Sequence, residues 1–366
     1  MAARTIEGSR DASTTMIRGS MTGATLAQEE GDMAATPARA TTWISADDWF
    51  ASGERRAYDP TRRLMPDGHA TDRSRGQIQV FERVVRDPAT ALDARWTTLL
   101  PGFPDGSYGY AQVDEFLGPD ATPRLFVEYV GQGDSDKPAG YRYATVERAD
   151  LVEAHWAAHG VRATFVVTFD YSSLVLLELL ARQQERSARG ERIGTRIESV
   201  FIVNGGLFAD AHSHPWQTTP LLKTRVGRAG MWVAQRSPAV FARVLRAASL
   251  YSKAYGVSAA ELREEYSAIA RRGGALFMHR AAGFVDEHRA NGERWDFARL
   301  YLALRHTVRF HVAGSAEDPF EPRQVAVARE RLGAHGLDVR LFPGGHMTTS
   351  EHPGSLANAI RELSRS

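Results

Sequence analysis

Three side chains that together could hydrolyse a covalent bond each follow an apolar run in the sequence. Asp170 comes directly after ATFVVTF (163–169), Asp318 comes shortly after VRFHVAG, and His346 follows the Gly-Gly pair of DVRLFPGG. A nucleophile, an acid and a histidine in this chain order can form a catalytic triad, in which the histidine is the base and the acid orients it. The order and the positions therefore predict a hydrolytic site.

The turn around Asp170 has the layout of a nucleophile on a sharp bend between a strand and a helix. The helical pattern SLVLLELLARQQERS begins at Ser173. Backbone N–H groups at a helix N-terminus favour a charged carboxylate there. The alternative interpretation is an ordinary helix-capping aspartate. Glycines usually stand two residues before and two residues after such a nucleophile, and here Thr168 and Ser172 occupy those positions.

A carboxylate nucleophile restricts the chemistry. Attack on an ester carbonyl would give a mixed anhydride of high energy, whereas attack on a saturated electrophilic carbon gives an ordinary ester. Water deprotonated by His346 would then hydrolyse that ester, with Asp318 holding the imidazole. An epoxide oxygen and a halide are the two leaving groups that fit. We therefore expect a small apolar electrophile and water as the partners.

Short β-branched runs alternate with longer helical patterns from Gln77 onward, which is typical of an α/β fold. The predicted strands are 77–85, 96–103, 123–130, 163–169, 199–206, 308–314 and 338–345, and the predicted helices are 145–160, 173–187, 321–336 and 353–366. The first two strands, joined across RDPATALD, are predicted to form a β-hairpin that starts the sheet. The later strands are apolar throughout, as strands buried on both faces of a parallel sheet must be.

The pattern divides the chain into segments of different character. Residues 1–42 are rich in Ala, Thr, Gly and Ser and are predicted to be a disordered extension. Residues 43–206 and 307–366 are predicted to be the two parts of an α/β core, with a mostly parallel, twisted sheet and helices on both faces. Residues 207–306 read as helices and loops without a strand, which predicts an inserted helical cap.

The composition argues against several other classes of function. Lys and Arg number 45 and Asp and Glu number 44, giving a formal net charge of +1, so the whole chain offers no general attraction to nucleic acid or to a membrane. The absence of Cys excludes disulfides, thiolate metal sites and a cysteine nucleophile. No apolar run is long enough to span a bilayer, and no secretory signal is recognisable, so we expect a cytoplasmic protein.

Two further patterns could in principle bind a metal or a nucleotide. His212 and His214 form an H-x-H pair, but Pro215 follows them and no acidic ligand cluster accompanies them, which favours a surface or hinge segment. The segment GQGDSDKP lacks both the ending of a P-loop and the glycine spacing of a dinucleotide site. We expect no metal and no cofactor, and the sequence leaves the oligomeric state open.

Several segments resemble the motifs of α/β-hydrolases. WTTLLPGFPDGSYGY is similar to their HGFP-type loop, VEYVGQGDSDKP to their D-x-x-G-x-G-x-S-x-x-P segment, and TFDYSS to the G-H-D-[WY]-G elbow of the epoxide hydrolase and haloalkane dehalogenase branch. IESVFIVNGGLF, DEHRANGERW, HVAGSAEDP and GGHM resemble more closely the mesoderm-specific-transcript-like group within that branch. The resemblance covers about residues 50 to 366.

This resemblance implies an α/β-hydrolase fold and a role for each site residue. Asp170 would be the nucleophile, His346 the base and Asp318 its orienting acid, while the backbone N–H groups of Phe103 and Tyr171 would form the oxyanion hole. Tyr171 has no indole N–H to hold a halide, so an epoxide is preferred to a haloalkane or haloacid. The family opens epoxides with the help of a cap tyrosine, for which the candidates are Tyr251, Tyr255, Tyr266 and Tyr301.

The sequence also departs from the family pattern beside the nucleophile. Pro101 replaces the histidine that precedes the glycine of the oxyanion loop, and Phe169 replaces the histidine before the nucleophile. These changes affect supporting residues rather than the triad. They keep a third hypothesis open, in which a non-catalytic protein of the same fold binds a small apolar ligand or a partner.

Overall fold

The computed structural model describes residues 43–60, 77–87, 91, 94–119, 122–139, 141–212, 219–247, 250–320 and 323–365. The segment 1–42, which the sequence predicts to be disordered, lies outside the described residues, as does His214 of the H-x-H pair.

Eight strands form one sheet in the described part of the chain, in the order β1-β2-β4-β3-β5-β6-β7-β8. Strand β2 pairs antiparallel with β1 and with β4, and the remaining pairs, from β4 to β8, are parallel. The strands are β1 (Glu54–Tyr58), β2 (Ile78–Val85), β3 (Trp96–Leu100), β4 (Arg124–Val127), β5 (Ala163–Phe169), β6 (Arg196–Val203), β7 (Arg309–Ser315) and β8 (Asp338–Phe342). The predicted mostly parallel sheet is confirmed.

The predicted β-hairpin between the first two runs is wrong. Strand β4 lies between β2 and β3, and the antiparallel partner of β2 at the edge is β1, which the sequence analysis missed. Every residue of β3 is buried, which suits a central strand with a parallel neighbour on each side. Strand β1 is polar and half exposed (ERRAY), so it lacks the apolar pattern by which a strand is recognised.

Helices cover both faces of the sheet. They are α1 (Ala46–Ala51), α2 (Ala111–Leu117), α3 (Thr145–Ala158), α4 (Ser172–Ala188), α5 (Thr219–Leu222), α6 (Arg225–Ala234), α7 (Pro238–Ala247), α8 (Ala259–Ala270), α9 (Met278–Ala281), α10 (Phe284–Ala290), α11 (Phe297–Leu304), α12 (Gln324–Leu332), α13 (Thr348–Glu351) and α14 (Pro353–Arg365). Alternate side chains of β5 serve the two sides, as the pleat of a strand requires. Phe165 and Val167 pack in the apolar cluster with residues of α2 and α14, and Val166 packs in the cluster with residues of α3 and α4.

The described residues between β6 and β7 contain helices and loops but no strand. Seven helices, α5 to α11, occupy this part of the chain. Leu250, between α7 and α8, accepts a hydrogen bond at its carbonyl from the N–H of Met347, 3.3 Å away. The helical region is therefore bonded to the loop that follows β8.

Candidate active site

Asp170 stands at the sharp bend between β5 and α4. Its φ is +55°, in the left-handed region that residues with a Cβ rarely adopt and that costs about 1–3 kcal/mol. The surrounding structure holds this conformation, because the N–H of Asp170 donates to the carbonyl of Val203, 3.0 Å away, and its carbonyl accepts from Ser173 at 3.1 Å. The side chain is thereby directed away from the strand rather than along it.

The loop after β3 approaches this bend very closely. The N–H of Phe103 donates to Oδ2 of Asp170 at 2.9 Å. Gly102 has to be glycine, since a Cβ there would lie 2.5 Å from Cδ1 of Phe169. Tyr171 precedes the first turn of α4, and its ring meets that of Phe103 edge to face at 6.1 Å. The structure thus brings both predicted oxyanion-hole residues beside the carboxylate.

His346 lies between two carboxylates that are distant in the sequence. Its Nδ1 is 3.0 Å from Oδ2 of Asp318, a hydrogen-bond distance, and its Nε2 is 3.6 Å from Oδ1 of Asp170, a charge contact slightly too long for a hydrogen bond. Asp318 is fixed in turn, because its Oδ1 accepts the N–H of Phe320 at 2.8 Å. The three residues predicted as a triad are therefore gathered at one point above the carboxyl ends of the strands.

The two carboxylates decide the charge of His346. Burial alone would lower the pKa of this imidazole, but the negative charges of Asp318 and Asp170 and the contacts with both raise its pKa well above the ordinary value of 6.5. His346 and Asp318 are buried, and the side chain of Asp170 is 18% exposed. Both carboxylates therefore favour the protonated form of the imidazole.

The chain is similar in sequence and in structure to several known proteins. No protein-family model matches the chain. The human mesoderm-specific transcript homolog protein is 28% identical over 227 residues, which span 61% of this chain and 64% of the human protein. LipZ of Mycobacterium tuberculosis H37Rv, whose name describes it as a hydrolase, is 27% identical over 267 residues, or 72% of this chain and 86% of LipZ. The chain thus spans somewhat less than two thirds of the length of its mesoderm-specific transcript relatives.

Solved structures of the same architecture include enzymes of two chemistries. The epoxide hydrolase CorEH superposes with a TM-score of 0.54 at 15% identity, covering 86% of this chain and 99% of its own. The haloalkane dehalogenase DbeA from Bradyrhizobium elkani superposes with a TM-score of 0.57 at 16% identity, covering 86% of this chain and 98% of its own. The chain has the α/β-hydrolase fold. The resemblance predicted from the motifs is confirmed, and at these identities the structural neighbours establish the fold alone.

The serine that replaces a glycine of the usual α/β-hydrolase elbow has a structural task here. Ser172 donates a hydrogen bond from its hydroxyl to the carbonyl of Pro101, and its hydroxyl also lies 3.0 Å from that of Tyr129. The hydroxyl therefore ties the elbow to the loop that carries Phe103. Phe169, which replaces a family histidine, packs its ring 5.3 Å from the imidazole of His346.

Two residues that the sequence analysis missed hold the His346 loop in place. Nδ2 of Asn204 donates to the carbonyl of His346 at 2.6 Å and to the hydroxyl of Thr348 at 2.9 Å. Glu351 accepts the N–H of Gly345 and the N–H and hydroxyl of Ser252. Asn204 has a φ of +48° and begins an Asn-Gly-Gly run after β6, a signal of a special turn that could have drawn attention to it.

Buried carboxyl groups near the triad were also missed. Neither carboxylate oxygen of Asp105 has a hydrogen-bond partner among the described residues, and burial raises the pKa of Asp105 to about 6, with Asp170 close enough to contribute. Burial and the neighbouring Asp105 raise the pKa of Glu265, on α8, to about 8. Asp105 lies in the turn-like sequence PDG and Glu265 in the charged run ELREE, where a carboxyl reads as exposed, so the sequence gives no hint of their burial.

The four candidate cap tyrosines lie in different places. Tyr251 donates to Oε1 of Glu265, and the residue before it, Leu250, accepts the N–H of Met347, the neighbour of His346. The hydroxyl of Tyr255 donates to Glu261. The hydroxyl of Tyr266 donates to the carbonyl of Gln235, and that of Tyr301 donates to the carbonyl of His335. Tyr301 is thereby held near the amino ends of β7 and β8, at the opposite edge from the triad.

A second histidine–carboxylate group lies between β2 and the end of α3. Glu82 of β2 has Oε2 2.5 Å from Nδ1 of His155 and Oε1 2.9 Å from Nε2 of His159. The candidate ligand atoms of these three residues lie within 4.8 Å of one another, a spacing that a metal could use. However, Arg56 also donates to Oε1, so a protein cation already pairs with this buried carboxylate. We call Glu82, His155, His159 and Arg56 the Glu82 cluster.

Of the H-x-H pair, the structure describes His212, whose Nε2 lies 2.6 Å from Nδ1 of His288 on α10. Burial, with His212 beside it, lowers the pKa of His288 to about 3. This imidazole contact links the start of the helical region to one of its later helices.

Proposed function

We propose that this protein is a hydrolase whose nucleophile is Asp170, and that its substrate is an epoxide. The observation that carries the proposal is the position of the His346 imidazole, 3.0 Å from Asp318 and 3.6 Å from Asp170. This arrangement offers a nucleophile, a base and an orienting acid in one place. Residues 207–306 are proposed to act as the cap over this site.

In the first step, Oδ1 of Asp170 would attack a carbon of the epoxide ring. A carbon–oxygen bond forms to the enzyme, and the ring carbon–oxygen bond breaks. Oδ2, which accepts the N–H of Phe103 at 2.9 Å, would become the carbonyl oxygen of the resulting ester. The same N–H, with that of Tyr171, can stabilise the oxyanion when water attacks, an effect of about 3 kcal/mol for each donor.

The charge of His346 supports the order of the two steps. In the resting state two carboxylates keep the imidazole protonated and unable to act as a base. Formation of the ester removes the charge of Asp170, so the pKa of His346 falls and its proton can return through solvent to the acid that protonated the alkoxide. The neutral imidazole can then deprotonate the water that adds to the ester carbonyl, while Asp318 stabilises the imidazolium that forms again. When the bond between the carbonyl carbon and the alkoxide oxygen breaks, the alkoxide takes the proton of the imidazolium and leaves as a diol, and Asp170, after its own proton passes to His346, is again a carboxylate.

The pair of Tyr251 and Glu265 is the proposed acid that protonates the leaving alkoxide. Because the pKa of Glu265 is raised to about 8, this carboxyl is mostly protonated at neutral pH. The hydroxyl of Tyr251, which now donates to Glu265, would turn to protonate the alkoxide, and Glu265 would pass its own proton to the tyrosine oxygen and become a carboxylate. A halide would instead need N–H donors, and the rings of Phe103 and Tyr171 carry none. The epoxide is therefore favoured over the haloalkane or haloacid.

The test is to trap the covalent intermediate. Purified protein, without added metal, is incubated with panels of epoxides, haloalkanes, haloacids and activated esters, and turnover and intact mass are measured. We expect turnover of epoxides, its loss in Asp170→Asn, and an added mass equal to one epoxide in His346→Gln. The double variant Asp170→Asn/His346→Gln is the control and should gain no mass.

Other outcomes would contradict the proposal. Undiminished turnover in Asp170→Asn would remove this carboxylate from the mechanism, and turnover of esters alone would overturn alkyl transfer. Turnover of no compound together with tight binding of apolar ligands would favour a non-catalytic binding protein.

For the acid, Tyr251→Phe should slow formation of the ester by about 10²–10⁴-fold, the usual contribution of a general acid. The matched control is Tyr266→Phe, which removes a hydroxyl bonded to the carbonyl of Gln235. Equal loss in both variants would reject Tyr251 as the acid.

A further inference from the structure

One part of the helical region carries basic residues without any acidic ones. Between Asp210 and Glu261 the sequence contains seven Lys and Arg and no Asp or Glu, although the whole chain has a formal net charge of only +1. The rest of the chain is therefore net negative. Helices α6 and α7 lie within this acid-free segment and carry five of its arginines, if Arg236 between them is included.

The same two helices expose most of the large apolar side chains on the described surface. Six large apolar residues are notably exposed, and four of them lie on α6 and α7: Val226, Trp232, Val233 and Val244, with exposures of 75%, 54%, 46% and 43%. Isolated exposed apolar residues are common, but a group of this kind on one surface signals a binding site. We call these four residues and the exposed arginines 225, 228, 236, 243 and 246 the α6–α7 face.

Helix α6 is divided into three stripes along its length. Gly227, Met231 and Ala234 are buried against the protein. Val226 and Val233, seven residues apart, share an exposed side of the helix. Arg225, Arg228 and Trp232 occupy the third side, where they are exposed. A helix with an apolar exposed stripe beside an arginine and tryptophan stripe has the pattern of helices that lie in a membrane surface.

We propose that the α6–α7 face binds the surface of a bilayer that contains anionic lipids. Arginines beside the helix attract anionic headgroups, and the valines can enter the boundary of the acyl chains. Trp232 suits the interface, and the guanidinium of Arg236 lies 3.8 Å from the centre of its ring, which places a cation directly beside the indole. Charge complementarity selects the anionic lipid over a neutral one.

Such binding differs from crossing a membrane. Among the described residues, no helix combines the length and the apolar character that a bilayer span requires. The expectation that the chain avoids membranes rested on its overall charge, which conceals the local excess on this segment. The proposal does not depend on the proposed hydrolysis, although α7 leads through Leu250 to the loop of His346, so a docked protein would hold its site near lipid-dissolved compounds.

The test is flotation of the full chain with vesicles of phosphatidylcholine, either alone or with one third phosphatidylglycerol. We expect binding to the mixed vesicles at low ionic strength, weak binding to neutral vesicles, and release of most protein near 1 M salt, where the Debye length is about 3 Å. Arg225→Gln/Arg228→Gln should lower the partition coefficient about 30-fold, since each arginine near an anionic surface contributes roughly a factor of five. The charge control is Arg162→Gln/Arg192→Gln, two exposed arginines elsewhere on the chain.

The apolar contribution has its own matched pair of variants. Trp232→Ser/Val233→Ser should lower binding to the mixed vesicles at least tenfold, while Leu302→Ser/Leu341→Ser, at positions 42% and 47% exposed outside the helical face, should not change it. Circular dichroism of each variant checks its folding. Vesicles with a brominated lipid should quench Trp232, seen as the difference between the wild type and Trp232→Phe.

Several results would overturn the proposal. Binding to neutral vesicles that equals binding to anionic vesicles would overturn it, and so would equal losses in the variants of the α6–α7 face and in their controls. Retention on heparin or polyglutamate without any vesicle binding would assign the face to another polyanion. Asp170→Asn should bind vesicles as the wild type does, so failure of the proposed hydrolysis and failure of lipid binding are distinguishable.

Discussion

Two groups of imidazoles and carboxylates in this protein differ in their ratio of imidazole to carboxylate. In the triad, one imidazole, His346, contacts two carboxylates. In the Glu82 cluster, one carboxylate contacts two imidazoles and the guanidinium of Arg56. The pKa of His346 is raised well above its ordinary value, whereas the pKa of Glu82 is lowered. Although its burial would raise the pKa of Glu82, its contacts with His155, His159 and Arg56 lower it far below that of an ordinary glutamate.

The difference indicates which group can change during a reaction. In the triad, negative charge is in excess, and the loss of one carboxylate charge by alkylation would switch the imidazole from acid to base. In the Glu82 cluster one carboxylate has three nitrogen-bearing partners, and its contacts with them favour its ionised form. The first arrangement suits catalysis, and the second suits a permanent link between β2 and α3.

The largest expected effect is on the orienting acid of the triad. Asp318→Asn should lower kcat by about 10⁴-fold, because an amide can hold the wrong tautomer of the imidazole and cannot stabilise the imidazolium. The matched control is Asp338→Asn, since Oδ2 of Asp338 lies 2.8 Å from Nδ1 of His311 in a partly exposed pair. Turnover of epoxide and yield of trapped ester are the measurements. Equal activity of the two variants would contradict the role of Asp318.

A smaller effect of a different kind is expected for the Glu82 cluster. Glu82→Gln should lower the free energy of unfolding by about 3–5 kcal/mol, since it removes the buried carboxylate that Arg56, His155 and His159 all contact, but should leave kcat unchanged. Glu54→Gln is the control, because Glu54 is mostly exposed and its pair with Arg56 is worth about 0–1 kcal/mol. Urea denaturation measures the stabilities. A large fall in kcat at unchanged stability would reverse the assignment of the two groups.

The sequence predicted the triad because each member follows an apolar strand, and strand ends share one edge of a parallel sheet. It did not predict the Glu82 cluster, in which a strand residue meets two histidines four positions apart on a distant helix. Glu82 stands in the amphipathic run IQVFERVV, where a glutamate reads as an exposed residue. Which polar residues become buried depends on which elements cover the strand, and local pattern does not contain that information.

The edge of the sheet illustrates the same limit. The strand pattern located β2 and β3 correctly but paired them with each other, because a short polar link usually joins neighbouring strands. Their separation by β4 depends on the preference of the fully buried β3 for the centre of the sheet, and on the polar strand β1 covering the edge. Helices α4 and α14 were predicted correctly because apolar residues recur at helical spacing over many residues in each.

The smallest effect is the response of stability to pH, and the two groups should respond in opposite directions. The pKa of Glu82 is lowered in the folded state, so its contribution is present above the unfolded value of 4.5 and is lost as the pH falls. The pKa of His346 is raised, so its contribution is present below 6.5 and is lost as the pH rises through the folded pKa.

Urea denaturation of the wild type, Glu82→Gln and His346→Gln over a pH series measures both contributions as differences from the wild type. We expect the Glu82 difference to shrink on acidification and the His346 difference to shrink in alkali. If both differences in the free energy of unfolding shrink in the same direction of pH, the ratio of imidazole to carboxylate does not distinguish the triad from the Glu82 cluster.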